Sequence, residues 1–231
     1  MKKIDVKGTI VSNDQKWLYE AFNMDATCPN DIALPDTNES IEIYINSVGG
    51  DVFAASEIYT ILKEYEGDVT VKILGLAASA ASVIAMAGDT VEISPTAQMM
   101  IHNVQTVLEG DYNELSYTSE ILKTASIGIS NSYQIKTGKT QKELLELMDK
   151  ETWFNAEQAV EHGFADKIMF VDKAEIPQLV ASLSPVIPQN VFENFKPHRI
   201  DLDALADKVI EKLENKTTET PTVQGFERFL F

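Results

Sequence analysis

Ile41-Glu-Ile-Tyr-Ile-Asn46, running straight into Ser47-Val-Gly-Gly50, is a β-branched and aromatic segment that ends in small residues. It reads as a strand followed by a tight turn, because glycines after a strand let the chain reverse into a new element. Ala55, Ile58, Tyr59, Leu62 and Tyr65 then recur at helical spacing. Val69-Thr-Val-Lys-Ile-Leu74 is a second strand. Gly75-Leu-Ala-Ala-Ser79 leads from it into an alanine-rich helix over 80–87, and short strands are expected at 90–93 and 98–102. Strands alternating with helices imply right-handed βαβ crossovers, so the fold class is α/β with a largely parallel sheet.

The pattern extends both ways from this centre. Residues 3–11 alternate enough to be an opening strand. Trp17, Leu18, Phe22 and Met24 suggest a helix after Asn13-Asp14, and the polar stretch over 25–40 reads as loop. Downstream, one long amphipathic helix is expected over 112–135, closed by Thr137-Gly138. A second over 140–149 carries Leu144, Leu145 and Met148 on one side. Asn155-Ala-Glu-Gln158 fits a capping box opening a helix that ends at His162-Gly163, and a last short strand is expected over 165–171.

Composition changes near residue 176. Pro177, Pro185, Pro188 and Pro197 mark a linker, and Leu202, Leu205, Val209 and Leu213 a short amphipathic helix before a polar end bearing Phe226, Phe229, Leu230 and Phe231. Two parts are therefore expected, a domain over 1–175 and a linker with tail over 176–231. No internal repeats are evident.

The chain has 231 residues, 44% hydrophobic and 24% charged, as in ordinary globular proteins. A formal charge of −17 argues against nucleic acid as a partner, since phosphate binding needs clustered Lys and Arg. The apolar stretch over 73–88 is too short and too alanine-rich to span a membrane. The amino terminus has charges but no apolar segment behind them, so no secretory signal is read. Cys28 is the sole cysteine, with no Cys/His spacing for zinc, so neither a disulfide nor a metal is expected and a cytoplasmic location is the natural reading.

Three segments carry chemistry. At Gly75-Leu-Ala-Ala-Ser79-Ala-Ala-Ser82 a helix begins at a serine, which places a hydroxyl at the carboxyl edge of the sheet beside unpaired helical N–H groups. The bland alternative is an ordinary N-cap. Ser47-Val-Gly49-Gly50-Asp51 is a second small-residue turn, whose backbone could join that of Ala80 in holding an oxyanion. It lacks Gly-x-Gly-x-x-Gly, so no dinucleotide site is expected. Of the histidines at 102, 162 and 198, His102 alone falls at a strand end where a base is useful. Asp149, Glu151 and Asp166 are candidates for a third member, each otherwise a solvated carboxylate.

Ile45-Asn-Ser-Val-Gly-Gly50, Gly75-Leu-Ala-Ala-Ser79, Met100-Ile-His102 and the run from Thr152-Trp-Phe-Asn-Ala-Glu-Gln to Asp166, in this order and spacing, resemble the Clp protease proteolytic subunit (ClpP) family over about residues 4–170. The resemblance implies a ClpP/crotonase-like spiral of βαβ units with a protruding helix-strand handle, matched here by 99–110 and the long helix. It implies a serine endopeptidase with Ser79 as nucleophile, His102 as base, Glu151 at the position of the family's usual aspartate, and oxyanion donors at Gly50 and Ala80. Asp149 stays as the alternative acid. No cofactor is implied. An extended substrate is expected to lie as an added strand after Gly50. The family further implies a homo-oligomeric ring, a heptamer or double heptamer. The short segment before the first strand and the unmatched 176–231 look most like the head-maturation (prohead) proteases of tailed bacteriophages, which cut scaffold and capsid precursors without an ATPase. Such a protein would work in the host cytoplasm or inside the prohead. The alternatives are an ATPase-dependent Clp-type subunit, a crotonase-type acyl-CoA enzyme, a Ser-Lys peptidase, and a catalytically silent scaffold protein.

Overall fold

The computed structural model describes residues 1–171; the expected linker and the helix near 202–213 lie outside the described residues. Within them the elements follow as β1 (Lys2–Ile10), α1 (Lys16–Ala21), β2 (Ala26–Thr27), a 3-10 turn (Pro29–Asp31), β3 (Ile41–Gly50), α2 (Val52–Glu64), β4 (Val69–Ala78), α3 (Ala80–Ala85), β5 (Thr90–Ile93) and β6 (Gln98–Ile101). Then come α4 (Tyr112–Thr137), α5 (Gln141–Asp149), β7 (Thr152–Phe154), α6 (Ala156–Glu161) and β8 (Lys167–Ile168). Eight strands form one sheet in the order β2-β1-β3-β4-β5-β8, with β6 joined to β4 and β7 to β6. Every pairing is parallel except β6 with β7. This is the α/β, mostly parallel fold that the sequence predicts.

Alternation explains the layering. In β3, Ile41, Ile43 and Ile45 are fully buried while Glu42 and Tyr44 face the other side, and β4 repeats this with Val69, Val71 and Ile73. Each such side chain contributes about 1.5–3 kcal/mol by leaving water. α2 and α3 cover that face through Ala55, Ile58, Leu62, Ala81 and Ile84, all nearly or fully buried. The small residues of α3 let the helix lie close to the strands.

β4 has two partners along one edge. Its first half pairs with β5 (Thr70↔Thr90 to Ile73↔Ile93) and its second half with β6 (Leu76↔Gln98 to Ala78↔Met100). The sheet thereby turns on itself, and β6 reaches the carboxyl end of β4. α4 ends at Gly138 (φ 69), as Thr137-Gly138 predicts, and α6 opens with the expected capping box of Asn155 and Gln158.

Two expectations need correction, and one strand is added. β3 and β4 do not stop at Asn46 and Leu74; they continue to Gly50 and Ala78, because their small residues still pair with neighbouring strands. β7, for which the sequence predicts no element, forms because its three residues pair non-locally with β6. Residues 102–110 of the expected handle form no strand, because among the described residues no neighbouring strand pairs with them. The handle is present as α4 alone.

Candidate active site

Ser79 sits where β4 ends and α3 begins, at φ 54, ψ −125. A side chain rarely adopts this conformation, which costs about 1–3 kcal/mol and persists only where the surroundings over-determine it. Here they do. The Ser79 N–H donates to Met100 O at 2.9 Å, and its carbonyl accepts from the Ser82 N–H at 2.9 Å and from Ser82 Oγ at 2.6 Å. The hydroxyl makes no cap bond to the helix.

Parallel register brings the histidine to it. Ala78 lies across from Met100, so the residues that follow each strand stay side by side. His102 Nε2 is 2.7 Å from Ser79 Oγ. If Nε2 accepts the serine proton, the ring proton is on Nδ1, and Nδ1 is buried with no hydrogen-bond partner among the described residues. A buried donor of this kind calls for an acceptor.

β7 runs beside the strand that leads to this histidine. Its antiparallel register with β6 runs Met100↔Trp153, Ile101↔Thr152, so the ladder ends one residue before His102 on one strand and one residue after Glu151 on the other. Glu151 itself is in the left-handed region (φ 49). Its carboxylate is not on the histidine; Oε1 accepts a long bond, 3.4 Å, from the Trp153 indole N–H. Asp149 is held elsewhere, accepting from Asn103 Nδ2 at 2.7 Å. Asp166 is remote in role, accepting from the Val91 N–H and from Lys136. The structure thus joins Ser79 and His102 directly, while Glu151 adjoins the end of the β6–β7 ladder with its carboxylate on Trp153.

The glycine turn closes the other side. Gly49 (φ 95) donates its N–H to Ser47 Oγ at 3.0 Å, and Ser47 Oγ donates to Gly8 O at 2.7 Å. The Asp51 N–H is taken by Ile10 O at 2.8 Å. Gly50, between these two engaged amides, lines the same cleft as Ala80, Ser79 and His102. That cleft, about 640 Å³, continues along Thr9–Val11, residues 103–106 and the apolar side chains of Ile121, Leu122 and Ile129. The strand edge expected after Gly50 does not exist. α2 starts at Val52, and the Asp51 carbonyl is already bonded to the Ala55 N–H. Among the described residues no group of His, Cys, Asp and Glu is placed to hold a metal, and no helix is long and apolar enough to cross a membrane.

Ser82, Tyr133 and Trp153 were not singled out for roles in the site by sequence reasoning. Ser82 stood within the quoted motif, but its partner Tyr133 is distant in the chain, and only packing reveals the pair.

A match to the Clp protease family covers residues 31–172. Among curated proteins, the chain is 30% identical over 159 residues to the ATP-dependent Clp protease proteolytic subunit 2 of Tropheryma whipplei, covering 66% of this chain and 88% of that one. It is 28% identical to the corresponding subunit 2 of Nocardia farcinica, over 60% of this chain and 69% of the relative. The proteolytic subunit 1 of Salinibacter ruber is 27% identical over 135 residues. With the match spanning β3, Ser79, His102 and β7 in one colinear stretch, the chain belongs to the Clp protease family and is a serine-type peptidase.

Proposed function

We propose that Ser79 is the nucleophile of an endopeptidase, with His102 as general base and Glu151 as the residue that orients and stabilises the imidazolium. The observation that carries this is the 2.7 Å bond from Ser79 Oγ to His102 Nε2 at a strained strand-to-helix turn lining a long cleft. His102 takes the hydroxyl proton as Oγ attacks a peptide carbonyl. The Gly50 and Ala80 N–H groups hold the oxyanion, each donor contributing roughly 3 kcal/mol at comparable sites. The protonated histidine then passes its proton to the leaving amine, and water, deprotonated in turn by His102, releases the acyl-enzyme. Support for Glu151 over Asp149 comes from the β6–β7 register, and from the bond that Asp149 already makes to Asn103.

The proposal extends to a homo-oligomeric ring, a heptamer or double heptamer. What supports it is exposed apolar surface at the start of α4 and just before it, where Val107, Tyr112, Leu115 and Tyr117 stand in water in a single chain. The narrower role, ATP-independent processing of phage scaffold or capsid precursors, is supported by the residues after 172, which lie beyond the family match. The relatives named ATP-dependent support the alternative, a subunit that needs an ATPase.

The test pairs the wild type with Ser79→Ala, each treated with a fluorophosphonate and with unfolded casein. Labelling and casein cleavage by the wild type alone, without ATP, are expected. Labelling without cleavage would favour the ATPase-dependent alternative. A wild type that is never labelled would remove Ser79 as nucleophile.

A further inference from the structure

The geometry points to Ser82 and Tyr133 as positioning residues that aim the Ala80 N–H into the oxyanion hole through the Ser79–Ala80 peptide. This rests on the reading of Ser79 and Ala80 given above. Both side chains are wholly buried. Ser82 Oγ lies 2.6 Å from the Ser79 carbonyl oxygen and 2.8 Å from the Tyr133 hydroxyl.

Proton counting fixes the direction of the chain. A serine hydroxyl has one proton to give. Since Ser82 gives it to the Ser79 carbonyl, the Tyr133 hydroxyl must donate to Ser82 Oγ. Burial raises the phenol's pKa far above its ordinary value, outweighing the Ser82 bond that acts the other way, so that donor proton stays in place. Tyr133 is itself held by an edge-on contact with Phe164, ring centroids 5.7 Å apart.

The consequence follows from the planarity of the peptide bond. In a trans peptide the carbonyl and the next N–H point in opposite directions. The Ser79 carbonyl is turned inward, toward the Ser82 amide and hydroxyl. The Ala80 N–H of the same peptide must therefore point away from them. A methyl group built on Gly49 would come within 2.9 Å of Ala80 N, so that nitrogen abuts the glycine turn on the far side. Two hydrogen bonds on one carbonyl also polarise the peptide and strengthen its N–H as a donor. Ordinary satisfaction of buried polar groups would explain a Ser–Tyr pair anywhere in the core. Here the hydrogen-bond chain ends on the carbonyl of one of the two peptides that supply the oxyanion donors.

The test uses the full chain and three variants, Ser82→Ala, Ser82→Thr and Tyr133→Phe. It reads kcat and KM on a fluorogenic peptide, affinity for a peptide aldehyde that forms a tetrahedral adduct with Ser79, and melting by circular dichroism. An interaction that matters only when the oxyanion forms lowers kcat and spares KM. Ser82→Ala is expected to lower kcat on the order of 10–100-fold with KM nearly unchanged, and to weaken the aldehyde by a similar factor. Tyr133→Phe should lie between it and the wild type, and Ser82→Thr should restore most of the rate. The pH at which kcat/KM falls on the acid side should not move, because His102 is untouched. A folded Ser82→Ala with wild-type kcat and aldehyde affinity would overturn the inference, as would a loss that appears in KM or that threonine fails to recover. Should Ser82→Ala not fold, Tyr133→Phe, which deletes a single oxygen, decides by the same criteria. A wild type that a fluorophosphonate labels, beside unaffected variants, sinks this inference alone; an unlabelled wild type sinks the catalytic reading and this inference with it.

Discussion

Gly49 packs against Ser79 with no room for a side chain between them: a Cβ added to the glycine would sit 2.8 Å from the serine Cβ. It would also lie 2.7 Å from Ala78 O and 2.9 Å from Ala80 N. Ser47 holds the glycine turn from one side, and Ser82 holds the serine turn from the other. The cleft is thus framed by two backbone turns in direct contact, and the position of each depends on the other.

Replacing Gly49 with alanine should therefore damage catalysis more than folding. Its φ of 95 is unfavourable for any side chain, and the added methyl must push the Ser79 turn away. Overpacking of this kind costs about 1–3 kcal/mol. If that displacement falls on the oxyanion donors, kcat/KM drops by about 10–100-fold, since roughly 1.4 kcal/mol is a factor of ten. The measurement is the rate of fluorophosphonate labelling beside a thermal melt. A variant that labels at the wild-type rate would show that the two turns move independently.

Lys136 is expected to matter for stability and not for chemistry. Its side chain is only 11% exposed, and its Nζ donates to Gly88 O, Asp89 O and Asp166 Oδ2 at 3.2, 3.3 and 2.7 Å. It ties the end of α4 to the turn after α3 and to the segment entering β8. Lys136→Met removes hydrogen bonds from a charged donor, at about 1.5–3 kcal/mol for a typical one. Urea unfolding should show a lower midpoint with an unchanged slope, while kcat stays near that of the wild type. An unchanged midpoint would mean that solvent replaces these bonds without loss.

How much of this could be read beforehand follows from how local each signal is. The strand of alternating isoleucines at 41–45 and the capping box at Asn155 are written in adjacent residues, and both are legible. So is the pairing of Ser79 with His102, once the family resemblance is seen. β7 is not legible, because three residues pair only by virtue of where β6 lies. The Ser82–Tyr133 bond joins residues 51 positions apart and has no local signature at all. The ends of β3 and β4 extend past what the sequence predicts because glycine and alanine look like turn residues, whereas in a sheet interior they are what allows two turns to touch.

Acid should weaken the fold through Glu42. Its carboxyl is held below the ordinary value of 4.5 chiefly by the hydrogen bond from Lys72, 2.5 Å away, against a smaller opposing effect of burial, with Tyr44 adding a second bond. A carboxyl lowered in the folded state adds stability that is fully present above its unfolded value and is lost as pH falls through the folded one. Glu42→Gln should therefore melt below the wild type at pH 6, and the gap should narrow as pH falls below the ordinary value of 4.5 and the wild-type carboxylate takes up its proton. A gap that stays constant with pH would assign the loss to packing, not to the charge.

The sharpest question at the site is which acid serves His102, and two neutral variants separate the candidates. Glu151→Gln keeps the size of the side chain but cannot stabilise an imidazolium. Asp149→Asn should only disturb the bond to Asn103. If Glu151, next to the end of the β6–β7 ladder, is that acid, Glu151→Gln lowers kcat on the order of 10⁴-fold, by analogy with amide replacements of the acid in other serine triads. Asp149→Asn should then stay within about threefold of the wild type, as expected for a substitution outside the reacting groups. Trp153 adds a third arm, because its indole N–H donates to Glu151 Oε1. Trp153→Phe removes that competitor, so it should leave kcat unchanged or raise it. The reverse order, with Asp149→Asn inactive and Glu151→Gln active, would transfer the role to Asp149 and require residues 149–151 to rearrange around His102 before each turnover.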